Sequence, residues 1–210
     1  MTRTQKTVFV VVAVLAVVIG VAIGREWSAQ GHGDQAAMVD AGIILLPQSR
    51  KVPELGFVDQ DGQPVSLASL KDKWTLVFFG YTFCPDICPT TLAQLRQIKS
   101  QLPASTVGKL RVVLVSIDPN RDTPAQLKTY LGYFDKDFTG LTAPVDTLQK
   151  LANALSIPFI PADTRKPNYT VDHSGNLALL GPDGTQRGFI RGPMNSQKML
   201  AQLPGLLERK

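Results

Sequence analysis

Trp74-Thr75-Leu76-Val77-Phe78-Phe79 runs through Gly80-Tyr81-Thr82-Phe83 into Cys84-Pro85-Asp86-Ile87-Cys88-Pro89, and on into Thr90-Thr91-Leu92-Ala93-Gln94-Leu95-Arg96-Gln97-Ile98. The first six residues read as a strand buried on both faces. The last nine carry apolar residues at helical spacing. Between them lie the only two cysteines of the chain, so the pair sits where a strand turns into a helix. Two sulfurs four residues apart are expected on one side of a helical turn. The unsatisfied N–H groups of the helix start would favour their thiolate forms. Such a pair suits two tasks: holding a soft metal ion, or cycling between dithiol and disulfide.

Working outward, Leu110-Arg111-Val112-Val113-Leu114-Val115-Ser116-Ile117 is a second continuous apolar strand. Asp122-Thr123-Pro124 opens a helix to about Phe134, with a capping residue ahead of a first-turn proline. A shorter helix is expected over Thr147 to Leu155. Strands follow near residues 170–173, 177–180 and 186–190, the last two joined by Gly181-Pro182-Asp183-Gly184, and Met194 to Leu207 reads as a terminal helix. Upstream, Phe57 to Leu67 is a hairpin signal with Asp61-Gly62 as its turn. This order predicts an α/β protein: a thioredoxin-like fold with an N-terminal β-hairpin extension, occupying residues 45–210.

Ahead of that domain, Arg3 and Lys6 precede an uncharged apolar run from Thr7 to Gly24. As a helix these 18 residues would span about 27 Å, close to the ~30 Å hydrocarbon core of a bilayer. The flanking positive charges place the N-terminus in the cytoplasm. Residues 1–24 are therefore expected to be a single N-terminal transmembrane helix, with Trp27 at the interface and residues 25–44 a flexible linker. A cleaved signal peptide, with Ala22-Ile23-Gly24 as its site, is the competing reading. The length of the apolar run favours the retained anchor. Either way the domain is exported to an oxidising compartment, where a cysteine pair tends to become a disulfide unless a metal or a dedicated reductant intervenes. A purely structural disulfide across so small a loop would remove little chain entropy. The net charge of +5 is scattered, with no basic block and no interleaved aromatics, which argues against nucleic acid as a partner.

The chain has two histidines, His32 in the linker and His173 in Asn168-Tyr169-Thr170-Val171-Asp172-His173-Ser174-Gly175. If this segment is extended, Tyr169, Val171 and His173 share one face and His173 stands at a strand end. A single histidine is more often a hydrogen-bonded structural residue than a ligand. The inventory alters that balance: a metal in this domain has one natural ligand set, Cys84, Cys88 and His173. Two thiolates and an imidazole suit Cu(I) by softness and Cu(II) by affinity. A structural zinc site would normally close with a fourth protein ligand. Asp86 and Asp172 are candidates for weak extra ligands, although such acids usually serve helix starts and turns. In Ser116 to Pro124, Asp122, Thr123 and Pro124 are accounted for by a capped strand-to-helix connection. Asp118 and Arg121 are left to orient the loop or a partner surface.

Three motifs carry a family resemblance. Residues 82–89 resemble the CxxxCP motif of the SCO/SenC family, Ser116 to Pro124 its DPxRDTP segment, and Tyr169-Thr170-Val171-Asp172-His173-Ser174 its YxVDHS segment. They occur in the family's order behind an N-terminal apolar run, so the resemblance covers roughly residues 45 to 208. Ala143 in Gly140-Leu141-Thr142-Ala143 departs from it, standing where a second glycine is expected. The resemblance implies a thioredoxin-like fold, copper bound through Cys84, Cys88 and His173, and a role in assembling the copper centre of cytochrome c oxidase. Partners implied are the copper-binding subunit of that oxidase and an upstream copper carrier or thiol reductant. A bacterial inner-membrane protein with its domain on the periplasmic side fits an N-terminus that is not rich in Arg and Ser.

Two functions compete, a copper carrier and a thiol–disulfide oxidoreductase that keeps the recipient's cysteines reduced. Classical oxidoreductases of this fold separate their cysteines by two residues, whereas this chain has three, Pro85-Asp86-Ile87. The redox reading also leaves His173 without an obligatory role. A peroxidase would place Thr or Ser where Tyr81 stands.

Overall fold

The computed structural model describes residues 15–17, 19–20, 35–67 and 70–209. It separates into two compact units, Met1–Val39 and Asp40–Lys210. Residues 15–17 and 19–20 are helical, as are residues 35–40. The remainder of the expected apolar span at 7–24, Trp27 and His32 lie outside the described residues. Among the described residues no helix is long and apolar enough to cross a membrane.

The second unit is built on one eight-stranded sheet. Its strands are β1 (Ile43–Arg50), β2 (Gly56–Asp59), β3 (Pro64–Ser66), β4 (Trp74–Gly80), β5 (Leu110–Ser116), β6 (Thr139–Thr142), β7 (Leu177–Leu180) and β8 (Gln186–Ile190). The helices are α1 (Ile87–Gln101), α2 (Ala104–Val107), α3 (Pro124–Gly132), α4 (Val145–Ala154) and α5 (Ser196–Leu207). Across the sheet the order is β1-β8-β7-β4-β5-β6-β2-β3. β4, β5 and β6 run parallel; β7 and β8 continue antiparallel on one side, β2 and β3 on the other.

The centre of the sheet follows from composition. Every residue of β4 is buried, between β5 and β7, as a continuous apolar run demands when both faces are covered. On α1 the buried residues are Cys88, Thr91, Leu92, Leu95 and Ile98, a stripe at helical period. α1 packs beside α5, and α3 lies against β6. Thr123 caps α3 by accepting from Gln126 N–H at 3.2 Å, with Pro124 in the first turn, as expected from the sequence.

The hairpin expectation is met by β2 and β3, at one edge of the sheet. Gly62 adopts φ +78, a conformation open to glycine, and Asp59 Oδ1 accepts from Asp61 N–H at 2.9 Å and Gln63 N–H at 2.8 Å. Three features depart from expectation. β1 forms the opposite edge against β8 and begins two residues before Leu45. A Cβ on Gly188 would run into the Ile44 carbonyl oxygen, so β1 fits there only because β8 carries glycine. β6 is a strand of four residues whose pairing with β5 and β2 makes it one. The strand expected at 170–173 is not formed: the segment makes only a single bridge, Ile160 to Asp172, and no neighbouring strand supplies a ladder for it.

Candidate metal centre

β4 ends at Gly80, whose carbonyl accepts from Ile117 N–H at 2.9 Å. A Cβ built on Gly80 would stand 2.7 Å from Cys88 Sγ, so glycine here makes room for the sulfur. The chain then turns through residues 81–86, with Cys84 N–H donating to the Tyr81 carbonyl at 3.3 Å. α1 begins at Ile87 with Asp86 as its N-cap residue. Cys88 therefore lies in the first helical turn and Cys84 precedes the helix, which corrects the expectation of two sulfurs on one helical turn.

His173 arrives on the irregular segment between residue 169 and β7. Two bonds pin this segment in place of a strand ladder: Val171 N–H donates to Tyr81 Oη at 3.2 Å, and Tyr169 Oη donates to Asp118 Oδ1 at 2.8 Å. The His173 ring meets Tyr81 and Phe78 edge-on, with centroids 5.7 Å and 6.0 Å apart.

Among the described residues Cys84, Cys88 and His173 bring three potential ligand atoms within 4.8 Å of one another. His173 Nε2 is 3.6 Å from Cys84 Sγ and 3.5 Å from Cys88 Sγ. Its Nδ1 is 3.2 Å from the Ser174 carbonyl. An Nδ1–H donated there fixes the tautomer that turns the Nε2 lone pair toward both sulfurs. Burial also lowers the His173 pKa from its ordinary 6.5, which favours the neutral ring that a ligand must be.

The sulfurs differ. Cys84 is half-buried and accepts a 3.4 Å hydrogen bond from Cys88 N–H at the helix start, whereas Cys88 is 0% exposed. Burial pushes the Cys88 thiol up from its ordinary 9.0, more than the hydrogen bond to the Tyr81 backbone lowers it. This overturns, for Cys88, the expectation that the helix start favours thiolate: desolvation outweighs the helix end. A buried thiol of this kind ionises when a cation arrives beside it. Two sulfurs and one imidazole, close together and the three members of this group among the described residues, form a soft donor set that copper fits.

Asp86 and Asp172 are both exposed and stand outside the ligand group. The reading of Asp122 as part of the α3 cap is also corrected, because Thr123 caps that helix. Asp122 is 1% exposed and reaches back to the cysteine turn. It accepts from Thr82 N–H at 3.0 Å, Thr82 Oγ1 at 2.7 Å and Ser116 Oγ at 2.6 Å. Gly80 and Tyr81 were missed by sequence reasoning. Their only signal was position, at the mouth of β4 immediately ahead of the cysteines.

The SCO1/SenC family model matches residues 46–208. A Stutzerimonas stutzeri protein, named as a candidate copper-binding protein, is 49% identical over 178 residues, 84% of this chain and 87% of that one. An SCO2-like protein of Rickettsia conorii is 36% identical over 129 residues, 60% of this chain; the match spans 62% of that relative's length. Among solved structures, Bradyrhizobium japonicum ScoI with copper bound superposes with a TM-score of 0.65 at 32% identity, over 74% of this chain and 98% of that one. BsSco, described with a disulfide switch and as a member of the Sco family of cytochrome c oxidase assembly proteins, gives 0.64 at 25% identity, over 80% and 99%. Together with the copper-suited cluster of Cys84, Cys88 and His173, the match over nearly the whole second unit establishes that the chain belongs to the SCO1/SenC family.

Proposed function

We propose that this protein is a copper carrier serving assembly of the copper centre of cytochrome c oxidase, and that Cys84, Cys88 and His173 hold the ion. The observation that carries this reading is the placing of His173 Nε2 at 3.5–3.6 Å from both sulfurs, with Nδ1 tied to the Ser174 carbonyl. Copper is the cargo. The buried Cys88 thiol releases its proton as the ion enters, and His173 offers the Nε2 lone pair. The open coordination lets an incoming ligand of the recipient, the oxidase's copper-binding subunit, attack while the ion is still held. An upstream copper carrier or thiol reductant supplies metal or electrons. Residues 1–24 anchor the protein as a single-pass helix in a bacterial inner membrane, and residues 25–44, helical over 35–40 and entering β1 at Ile43, lead from the anchor to a domain on the periplasmic side.

A second reading draws on the unequal burial of the sulfurs. Half-buried Cys84 can attack a disulfide of the recipient, and Cys88 can then displace the mixed disulfide. The recipient disulfide gains two electrons and two protons and becomes two thiols; Cys84 and Cys88 lose the same and become a disulfide.

The test is copper stoichiometry and absorption spectroscopy on purified protein, reduced and loaded anaerobically, beside His173→Ala. A single copper per chain with thiolate-to-copper(II) bands that His173→Ala loses is the expected result. No stable copper, with a readily cycled disulfide, would overturn the carrier in favour of the reductase.

A further inference from the structure

The two ligand-bearing segments, Tyr81 to Asp86 and Tyr169 to Ser174, are distant in sequence, and neither is a regular element. Both are gripped by the connection between β5 and α3. Asp122 takes hold of the cysteine segment through Thr82, two residues ahead of Cys84, with hydrogen bonds of 3.0 Å and 2.7 Å. Asp122 is itself set by its N–H donating to the Asp118 carbonyl at 2.9 Å.

Arg121 lies between the segments. Its guanidinium carbon is 3.7 Å from the Tyr169 ring centroid, 4.8 Å from that of Phe83 and 5.7 Å from that of Tyr81. Phe83 directly precedes Cys84, and Tyr169 stands four residues before His173. Arg121 Nε donates to Asp118 Oδ2 at 2.5 Å, which sets the plane of the guanidinium, while the other Asp118 oxygen accepts from Tyr169 Oη. Arg121 Nη2 is buried without a hydrogen-bond partner. A donor left unsatisfied is costly, so stacking on the rings and pairing with Asp118 dictate this pose.

We propose that Arg121 is a positioning residue for the metal centre, a plate between the cysteine and histidine segments, and that Asp122 beside it ties the cysteine segment to the sheet through Thr82. The inference rests on the copper reading above and assigns to two adjacent side chains the separation of the sulfurs from Nε2. A planar, delocalised cation stacks on aromatic faces as an ammonium cannot. Arg121→Lys therefore keeps the charge beside buried Asp118 while removing the plate. Thr82→Val keeps the shape of the side chain while removing the 2.7 Å bond to Asp122 and a 3.4 Å bond accepted from Gln126 Nε2, and leaves the Thr82 N–H bond to Asp122 in place.

Both variants are to be compared with the unaltered protein in two states. In the metal-free, reduced protein, the nuclear Overhauser contact between the His173 ring and the Cys88 β protons should weaken in each variant, while the thermal midpoint still shows a folded domain. In the copper(II)-loaded protein, affinity should fall about 10- to 100-fold, as for other residues that orient metal ligands, and the thiolate charge-transfer bands should shift. Combined with His173→Ala, Arg121→Lys should add no further loss of affinity, because the spacing it maintains no longer has a ligand at one end. An unchanged His173–Cys88 contact with unchanged bands in both single variants overturns the proposal, as does a loss that simply adds to that of His173→Ala. If the unaltered protein shows no His173-dependent copper band, the copper reading fails, and the metal-free contact still decides whether Arg121 and Asp122 set the spacing.

Discussion

Gly80 shows how the placing of a sulfur depends on a neighbour with no side chain of its own. Its backbone is held by Ile117 N–H at 2.9 Å, and an added Cβ would face Cys88 Sγ at 2.7 Å, Phe78 Cε1 at 3.0 Å and Leu114 Cδ1 at 3.1 Å. With the strand unable to retreat, the sulfur must shift. Gly80→Ala should cost about 1–3 kcal/mol of stability by overpacking and should weaken copper binding, measured by thermal unfolding and by competitive copper titration. Full retention of copper affinity would show that the Cys88 seat tolerates displacement. That Cys84, Cys88 and His173 would come together was legible from the scarcity of such side chains. Gly80, Tyr81 and the true partner of Asp122 were not, because a glycine, a tyrosine and an aspartate have ordinary uses at any strand end or turn.

Among elements, those whose period is written locally were read well. α1 shows its stripe from Cys88 to Ile98, β4 and β5 their predominantly apolar runs, and α3 its cap. Removing that cap by Thr123→Ala should lower stability by about 1 kcal/mol without changing copper affinity, because the hydroxyl serves Gln126 N–H and not the cysteine turn. A large loss of copper from Thr123→Ala would mean that the start of α3, and not Asp122 alone, sets the site. β1 and β6 went unread for different reasons. β1 carries Pro47 and ends in polar residues, so its pattern resembles a loop, and its partner β8 lies far along the chain. β6 is too short to show a period. Residues 169–173 alternate as a strand should, yet side-chain bonds from Tyr81 and Asp118 hold them instead.

At the scale of the second unit, Lys99 on α1 reaches Asp135 at 2.9 Å and Asp137 at 3.1 Å, beyond α3. Burial raises the Asp135 carboxyl, but the hydrogen bonds from Lys99 and from Asp137 N–H together hold it below its ordinary 3.8. A carboxyl depressed in the folded state contributes stability that is complete above the unfolded value and is lost as pH falls through the folded one. Acid unfolding of the metal-free protein should therefore steepen below about pH 3.8, and Asp135→Asn should flatten that limb in a pH series of denaturation midpoints. An identical limb in the variant would assign the acid sensitivity elsewhere.

Read as a string, the chain was sufficient to indicate the α/β plan, the central strands, the hairpin and the two cysteines and one histidine that the fold brings within 4.8 Å of one another, because periodicity and the scarcity of soft side chains are properties of local sequence. The three-dimensional arrangement settled the rest: which strands form the edges, that Cys84 stands outside the helix, that Cys88 is buried, and that Arg121 and Asp122 touch the cysteine segment and Arg121 the histidine segment. Cys84 and His173 are 89 residues apart, and Asp122 is 40 residues from Thr82. Contacts over such separations depend on how the sheet closes, and no window along the sequence contains both partners.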